Sequence, residues 1–227
     1  MWCSLVNVAP ALAMGNCVIL KPAEQTPLTA LKLADICQKV GIPKGVYQVV
    51  MGDGPNAGSP IVHHQKIGKV AFTGSTDVGR LIMKGAAESN LKQVHLELGG
   101  KSPVVVCKDV NVDEAVKLTA FSIFNNNGEA CTAGSRTFVH ADIYDEFVKK
   151  LKEHVATFKV GYNLNEDNNL GPLVDKEQYD RVKSYIEIGK KEGATLLIGG
   201  NNDNLPKKGY YVNPTIFCDV SFSHQYF

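Results

Sequence analysis

The sequence predicts an α/β fold in which short parallel strands alternate with helices. Apolar runs of strand type recur through the first hundred residues, helical patterns separate them, and glycine or proline marks most of the boundaries. Strands separated by single helices are typical of βαβ units, whose strands lie parallel in one sheet. With 227 residues and 44% hydrophobic side chains, the chain can form one large domain or two small ones, each with a buried core.

The first hundred residues predict a helix followed by four strands with helices between them. Residues 5–20 are expected to form a helix and then a buried strand at 17–20. Thr26 is expected to cap the next helix, with Pro27 at its first position and Gly41 at its end. Further strands are predicted at 45–50, 70–72 and 93–98, with helices beginning near Asn56 and running through 82–87.

The same alternation continues after the glycine pair at positions 99 and 100. Strands are predicted at 104–106, 137–139, 196–198 and 214–217, and helices at 112–124, 143–158 and 176–192. The glycine pair is the expected hinge between two domains, so we predict one domain over residues 1–98 and another over 99–227.

Charge and cysteine usage exclude several classes of function. The net charge is +1 with both signs interspersed, which predicts neither a nucleic-acid surface nor a basic membrane patch. The apolar stretch at 5–20 is too short to span a bilayer, which needs about 20 apolar residues. The six cysteines are scattered without a CxxC, and the adjacent His63 and His64 have no further ligands at metal-binding spacing. We therefore expect reduced thiols in a reducing compartment and no metal site.

Cys131 and Glu97 are the candidate catalytic residues. The residues before Cys131, at 125–130 (NNNGEA), are small or polar and are expected to leave its sulfur accessible. Glu97 lies at the end of an apolar run, close to the glycine pair, where partial desolvation would raise its pKa. A thiol and a lone carboxylate suggest covalent catalysis with a separate base for water. Two alternatives stay open: a buried structural cysteine, as expected for the other five, and a surface ion pair between Glu97 and Lys101.

A strand-to-helix turn at 72–76 (FTGST) suits a pyrophosphate. Phe72, Gly74 and Ser75, together with Gly79, place backbone N–H groups and a helix N-terminus at the end of a predicted strand. The turn does not match the GxGxxG motif of dinucleotide-binding loops. The alternative is therefore that these residues form an ordinary turn that binds no ligand.

Two more pairs of residues follow predicted strands. Gly54 and Gly58 lie in the turn after the second predicted strand, where an ordinary turn is again the alternative to a ligand-binding role. Lys21 and Glu24 follow the first strand, where loops at the carboxyl ends of parallel strands collect ligands. A solvated Lys/Glu pair is the alternative there.

Taken in order, these motifs resemble the NAD(P)-dependent aldehyde dehydrogenase superfamily. The match covers nearly the whole chain, and any one motif alone is weak, whereas the ordered set is specific. The matching segments are 9–13 (APALA), 21–27 (KPAEQTP), 72–76 (FTGST), 96–103 (LELGGKSP), 128–131 (GEAC), 171–174 (GPLV) and 209–215 (GYYVNPT).

The resemblance implies a Rossmann-like NAD-binding domain over 1–98 and a cysteine-bearing α/β catalytic domain over 99–227. It implies that Cys131 attacks an aldehyde and that Glu97 activates water to hydrolyse the resulting thioester. It also implies that Ser75 touches phosphate and that Lys21 and Glu24 bind the adenosine ribose. The carboxylate of Glu24 would repel a 2′-phosphate, so NAD is expected rather than NADP. Members of the family form homo-oligomers.

The resemblance further implies that the chain is the central portion of such an enzyme. Family members carry an oxyanion-binding asparagine upstream of the first residue here, and the segment 220–227 diverges where they continue with Glu-Glu-x-Phe-Gly-Pro. Loss of one oxyanion donor costs roughly 100- to 1000-fold in rate. The alternative to an enzyme is therefore a truncated, non-catalytic paralogue or fragment that associates with a full-length relative. The expected location is cytoplasmic, with a mitochondrial one left open.

Overall fold

The computed structural model describes residues 2–221, which divide into two compact units, one ending at Gly99 and the other beginning at Gly100. The segment 222–227, part of the predicted divergent stretch at 220–227, lies outside the described residues. Both units combine helices with parallel strand pairs, so the predicted α/β class is confirmed. Among the residues described, no helix is long and apolar enough to cross a membrane.

The first unit contains four helices and four strands in its described part. In chain order they are α1 Trp2–Ala13, β1 Val18–Leu20, α2 Leu28–Lys39, β2 Tyr47–Val49, a π-helical turn Gly54–Gly58, α3 Ser59–His63, β3 Lys69–Gly74, α4 Thr76–Glu88 and β4 Gln93–Leu98. All four predicted strands are present, and the predicted bounds of the last one match β4.

One buried cluster fixes the orientation of β3 and β4. The two strands pair in parallel, with Val70 opposite Val94 and Phe72 opposite Leu96. These four side chains pack with Val62 of α3 and Ile82 of α4. Because side chains alternate along a strand, the residues between them, at 69, 71, 73, 93, 95 and 97, lie on the opposite, exposed face.

The expected burial of the strand at 17–20 is wrong. β1 pairs in parallel with β2, but Ile19 is 46% exposed. Residues of β1 and β3, which are not paired with each other, line a cleft of about 1050 Å³ together with residues of α1. Ile19 faces this cleft, so its side chain lacks the packing that a central strand would give it.

The start of α2 also differs from the sequence prediction. The capping position is Pro27, with backbone angles of −83° and −22°, and no side chain caps the helix. The carbonyl of Pro27 accepts from the N–H groups of Ala30 and Leu31, so the first helical turn begins one residue after the predicted position. The end agrees with the prediction, since Gly41 follows the last turn with a φ of +85°.

The second unit contains three helices and four strands in its described part. They are β5 Pro103–Val106, α5 Val112–Phe124, a 3₁₀ turn Asn125–Gly128, β6 Arg136–Val139, a 3₁₀ turn Ala141–Ile143, α6 Tyr144–Val155, α7 Lys176–Lys191, β7 Thr195–Ile198 and β8 Ile216–Cys218. The bounds predicted for α5 are those observed.

The core of the second unit forms where α5 and α6 pack together. Ala120, Phe147 and Val155 are at most 2% exposed within a cluster that also takes in β5 and β6 side chains. β5 pairs with β6 in parallel, whereas β7 and β8 are antiparallel, with a register irregularity between Leu196 and Ile198. The apolar stripes of the two helices thus hold β5, and the loop that follows α5, in place.

Candidate functional site

Lys21 connects the end of β1 to the turn that follows β2. Its ammonium group donates hydrogen bonds to the carbonyl oxygens of Pro22, at 2.8 Å, and Gly52, at 3.0 Å. The carboxylate of Glu24 lies 3.5 Å from the same nitrogen. The Lys21 side chain is 19% exposed and that of Glu24 is 52% exposed. The structure therefore brings these two predicted residues together, with Glu24 open to a ligand.

The turn that carries Gly54 and Gly58 lies beside Lys21. The stem of Lys21 passes so close to Gly58 that a side chain there would contact it, with Cδ 3.7 Å from an added Cβ. Asp53 organises the turn by accepting hydrogen bonds from the backbone N–H of Asn56, at 2.7 Å, and from its side-chain amide. These hydrogen bonds lower the pKa of the Asp53 carboxyl. Four predicted residues thus form one group at the carboxyl ends of β1 and β2.

The second predicted turn forms at the junction of β3 and α4. Gly74 is the last residue of β3, and Ser75 caps α4 by accepting a hydrogen bond from Val78 N–H at 3.3 Å. Ser75 and the exposed backbone around it therefore lie at a helix N-terminus, where an anion is favoured. Phe72 contributes its ring to the buried face instead.

Gly79 lies one turn inside α4 rather than in the strand-to-helix turn itself. It is buried, and a Cβ at this position would lie 2.9 Å from Cδ2 of Leu98. The absence of a side chain allows α4 to approach β4 closely. Gly79 thereby shapes the turn indirectly, through helix–strand packing.

Glu97 projects from the exposed face of β4, in register with Thr73 of β3. Its side chain is 52% exposed, so about half of its surface is open to solvent. Its partner within the first unit is His95, whose Nε2 lies 3.0 Å from Oε1. The carboxylate is therefore accessible and held by a hydrogen bond.

Cys131 lies in a tightly turned loop after α5, and its side chain is exposed. Asn126, Asn127 and Gly128 precede it with φ values of 52°, 57° and 75°. Consecutive left-handed residues are uncommon outside glycine, and asparagine is among the residues that tolerate them best. The accessible sulfur expected from the sequence is confirmed.

Two contacts tie this loop to the segment that leads into α7. The side-chain amide of Asn127 donates to the carbonyl of Pro172 at 3.2 Å. Glu129 is half-buried, faces Asp175 and accepts a hydrogen bond from Gln178, both at the start of α7. Burial and the Asp175 carboxylate raise the pKa of Glu129, with the Gln178 contact opposing them. The loop that carries Cys131 is therefore anchored by the residues on both sides of Gly128.

Exposure does not by itself single out Cys131. Cys17 and Cys107 are also exposed, and Cys37 and Cys218 are partly so, so the expected burial of these four is wrong. Cys17 borders the open cleft and Cys107 directly follows β5. The five described cysteines carry free thiols. Within residues 2–221, no three metal-ligating side chains cluster.

Comparisons with known proteins decide the family. A sequence model described as the aldehyde dehydrogenase family matches residues 1–227. The chain belongs to the aldehyde dehydrogenase family. The mitochondrial aldehyde dehydrogenase of Leishmania tarentolae is 51% identical over 214 residues, which are 94% of this chain and 43% of that protein. The resemblance expected from the motifs is confirmed.

Solved structures of the aldehyde dehydrogenase family share the fold. A variant of the Bacillus cereus aldehyde dehydrogenase superposes with a TM-score of 0.94 at 45% identity, covering 98% of this chain and 45% of that one. An NAD⁺ complex of the aldehyde dehydrogenase from the same organism gives a TM-score of 0.91 at 46% identity, covering 95% and 43%. The chain thus spans less than half the length of these relatives.

Sequence reasoning missed three side chains of this aldehyde dehydrogenase chain that hold the candidate residues. His95 contacts Glu97, and its position two residues earlier on a strand was the available signal. Asn127 and Glu129 anchor the cysteine loop, but their partners lie more than 40 positions along the chain. No local sequence pattern predicts those contacts.

Proposed function

We propose that this chain takes part in oxidising an aldehyde to a carboxylic acid with NAD. Cys131 is the nucleophile and Glu97 is the base that activates water. The observation that carries the proposal is the exposed Cys131 sulfur on an anchored loop, in a chain of the aldehyde dehydrogenase family. An accessible thiol that packing and hydrogen bonds hold in place is the arrangement that nucleophilic catalysis needs.

The residues at the carboxyl ends of β1 to β3 fit a dinucleotide. Lys21 and Glu24 offer an ammonium group and an exposed carboxylate to ribose hydroxyls. Gly54 leaves the backbone beside it uncovered, and Gly58 lets the Lys21 stem pass close by. Ser75 lies at the N-terminus of α4, which suits a pyrophosphate. When bound, the nicotinamide of NAD accepts the hydride that leaves the substrate carbon.

The chain's own residues perform the covalent steps. The Cys131 thiolate adds to the aldehyde carbon, and loss of hydride from that carbon leaves a thioester on the sulfur. Glu97 then removes a proton from water, the hydroxyl adds to the thioester carbon, and the carbon–sulfur bond breaks. The products are the carboxylic acid and the regenerated thiolate.

The same residues support a preference for NAD over NADP. The Glu24 carboxylate is exposed and carries a negative charge, so a 2′-phosphate placed beside it would be repelled. We further propose a small-molecule aldehyde as substrate and a homo-oligomeric assembly for the whole enzyme. The five free thiols among the described side chains favour a reducing compartment, either the cytoplasm or mitochondria.

Absorbance of NADH tests the function directly. The purified chain is incubated with NAD or NADP and a panel of aliphatic and aromatic aldehydes. We expect NADH formation that Cys131→Ala abolishes and that Cys107→Ala, at another exposed cysteine, leaves unchanged. Absence of NADH from the unmodified chain would favour the non-catalytic alternative.

A further inference from the structure

His95 and Glu97 form a close pair on the exposed face of β4. His95 Nε2 lies 3.0 Å from Glu97 Oε1, and both side chains are about half exposed, at 53% and 52%. The pair is local, since residues two apart on a strand project from the same face. The imidazole ring is thus the hydrogen-bond partner of the proposed base.

The opposite face of β4 holds this pair in position. Val94 and Leu96 alternate with His95 and Glu97 and pack into the cluster around Val70. A slip of one residue would expose both apolar side chains and bury the charged ones, so the register is strongly specified. The core of the unit therefore determines which side of the sheet carries His95 and Glu97.

The neighbouring strand offers His95 no competing partner. Ala71 lies opposite His95 and Thr73 lies opposite Glu97. The charged or titratable groups that line the cleft beside His95 are Lys66, Lys69 and Cys17, and α1 contributes only uncharged side chains to it. The hydrogen bond from His95 engages Oε1, and the Glu97 side chain as a whole is 52% exposed, which leaves Oε2 for another partner.

We propose that His95 is a positioning residue for the general base, a role that rests on the function proposed above. With its proton on Nε2, the imidazole donates to Oε1 and restrains the carboxylate, so that Oε2 faces the attacking water. A base oriented by a third group is a recurring arrangement in covalent catalysis. His95 then acts on hydrolysis of the thioester and leaves its formation untouched.

Hydrolysis of p-nitrophenyl acetate separates the two steps without any cofactor. The initial burst of p-nitrophenol reports acylation of Cys131, and the subsequent steady rate reports deacylation. We expect His95→Ala to preserve the burst and to lower the steady rate roughly 10- to 100-fold, since a misplacement of about 1 Å can cost about 100-fold. His95→Gln keeps an N–H donor and should restore most of the rate. Gln93→Ala, on the same exposed face, is the matched control.

The other outcomes contradict either the positioning role or the dehydrogenase function. An unchanged steady rate in His95→Ala, or an equal loss of burst and steady rate, contradicts a positioning role. Release of p-nitrophenol that Cys131→Ala leaves unchanged removes Cys131 as nucleophile, and the role of His95 falls with it. A His95-dependent steady rate without NADH formation in the aldehyde assay would reject the dehydrogenase function and retain the positioning role.

Discussion

The ammonium group of Lys21 donates a hydrogen bond to the carbonyl oxygen of Gly52, 31 positions along the chain, at 3.0 Å. This bond joins the end of β1 to the turn after β2 and places Glu24 beside that turn. The same side chain therefore supports the backbone and, in the proposed function, binds the cofactor.

Lys21→Met is expected to lower both the stability of the fold and the affinity for NAD. Loss of a hydrogen bond from a charged donor costs about 1.5–3 kcal/mol, so the urea midpoint should fall. Binding of NAD, measured by calorimetry, should weaken by at least about tenfold for a loss of about 1.4 kcal/mol. Lys32→Met, which removes an exposed ion pair on α2, is the control and should change neither property appreciably. An unchanged NAD affinity in Lys21→Met would remove Lys21 from the proposed cofactor site.

Glu129 makes stability depend on pH. Its pKa is raised in the folded chain from an ordinary value of 4.5, by burial and by the Asp175 carboxylate. The folded state therefore binds the proton more tightly than the unfolded state, and stability decreases as pH rises from 4.5 through the raised value. Glu129→Gln removes this titration.

We therefore expect Glu129→Gln to gain stability relative to the unmodified chain as pH rises through that window. Urea unfolding at pH values from 4 to 8 measures the difference. Glu153→Gln, at an exposed position of α6, controls for the loss of a carboxylate. A difference that shrinks with rising pH would mean that the Glu129 carboxylate is stabilised by the fold.

Gly199 and Gly193 form a matched pair for substitution by alanine. Their φ values are +80° and +81°, so both substitutions force alanine into the left-handed region at a cost of about 1–2 kcal/mol. A Cβ at position 199 would lie 2.0 Å from the carbonyl oxygen of Pro214, whereas position 193 has no neighbour within 4 Å. Gly199→Ala should therefore lose about 1–3 kcal/mol more in urea unfolding. Equal losses of stability in the two variants would mean that the segment around Pro214 moves to accommodate the added methyl group at little cost.

Local sequence patterns predicted the elements that depend on periodicity. The bounds of β4 and α5 were predicted correctly. The structure shows that both elements have local signals: burial alternates along β4, and Asn111 caps α5. The start of α2 was missed by one residue, since Thr26 and Pro27 both suit the beginning of a helix. The accessible Cys131 followed from its polar, glycine-containing surroundings.

Tertiary contacts were not predictable in this way. The exposure of Ile19 depends on which strands pair, and the packing role of Gly79 depends on how closely α4 approaches Leu98. The anchoring of Asn127 to Pro172 joins positions 45 apart. Such contacts are set by the packing of whole elements, which a single sequence does not display.

The central claim, a thioester on Cys131 that Glu97 helps to hydrolyse, can be tested by trapping that intermediate. Glu97→Gln is incubated with NAD and an aldehyde that the unmodified chain oxidises, and the protein is digested for mass spectrometry. We predict NADH formation limited to about one equivalent and an added acyl group on the peptide that carries Cys131. An acyl group on another cysteine, or sustained NADH formation without any acylated peptide, would contradict the assignment of these two residues.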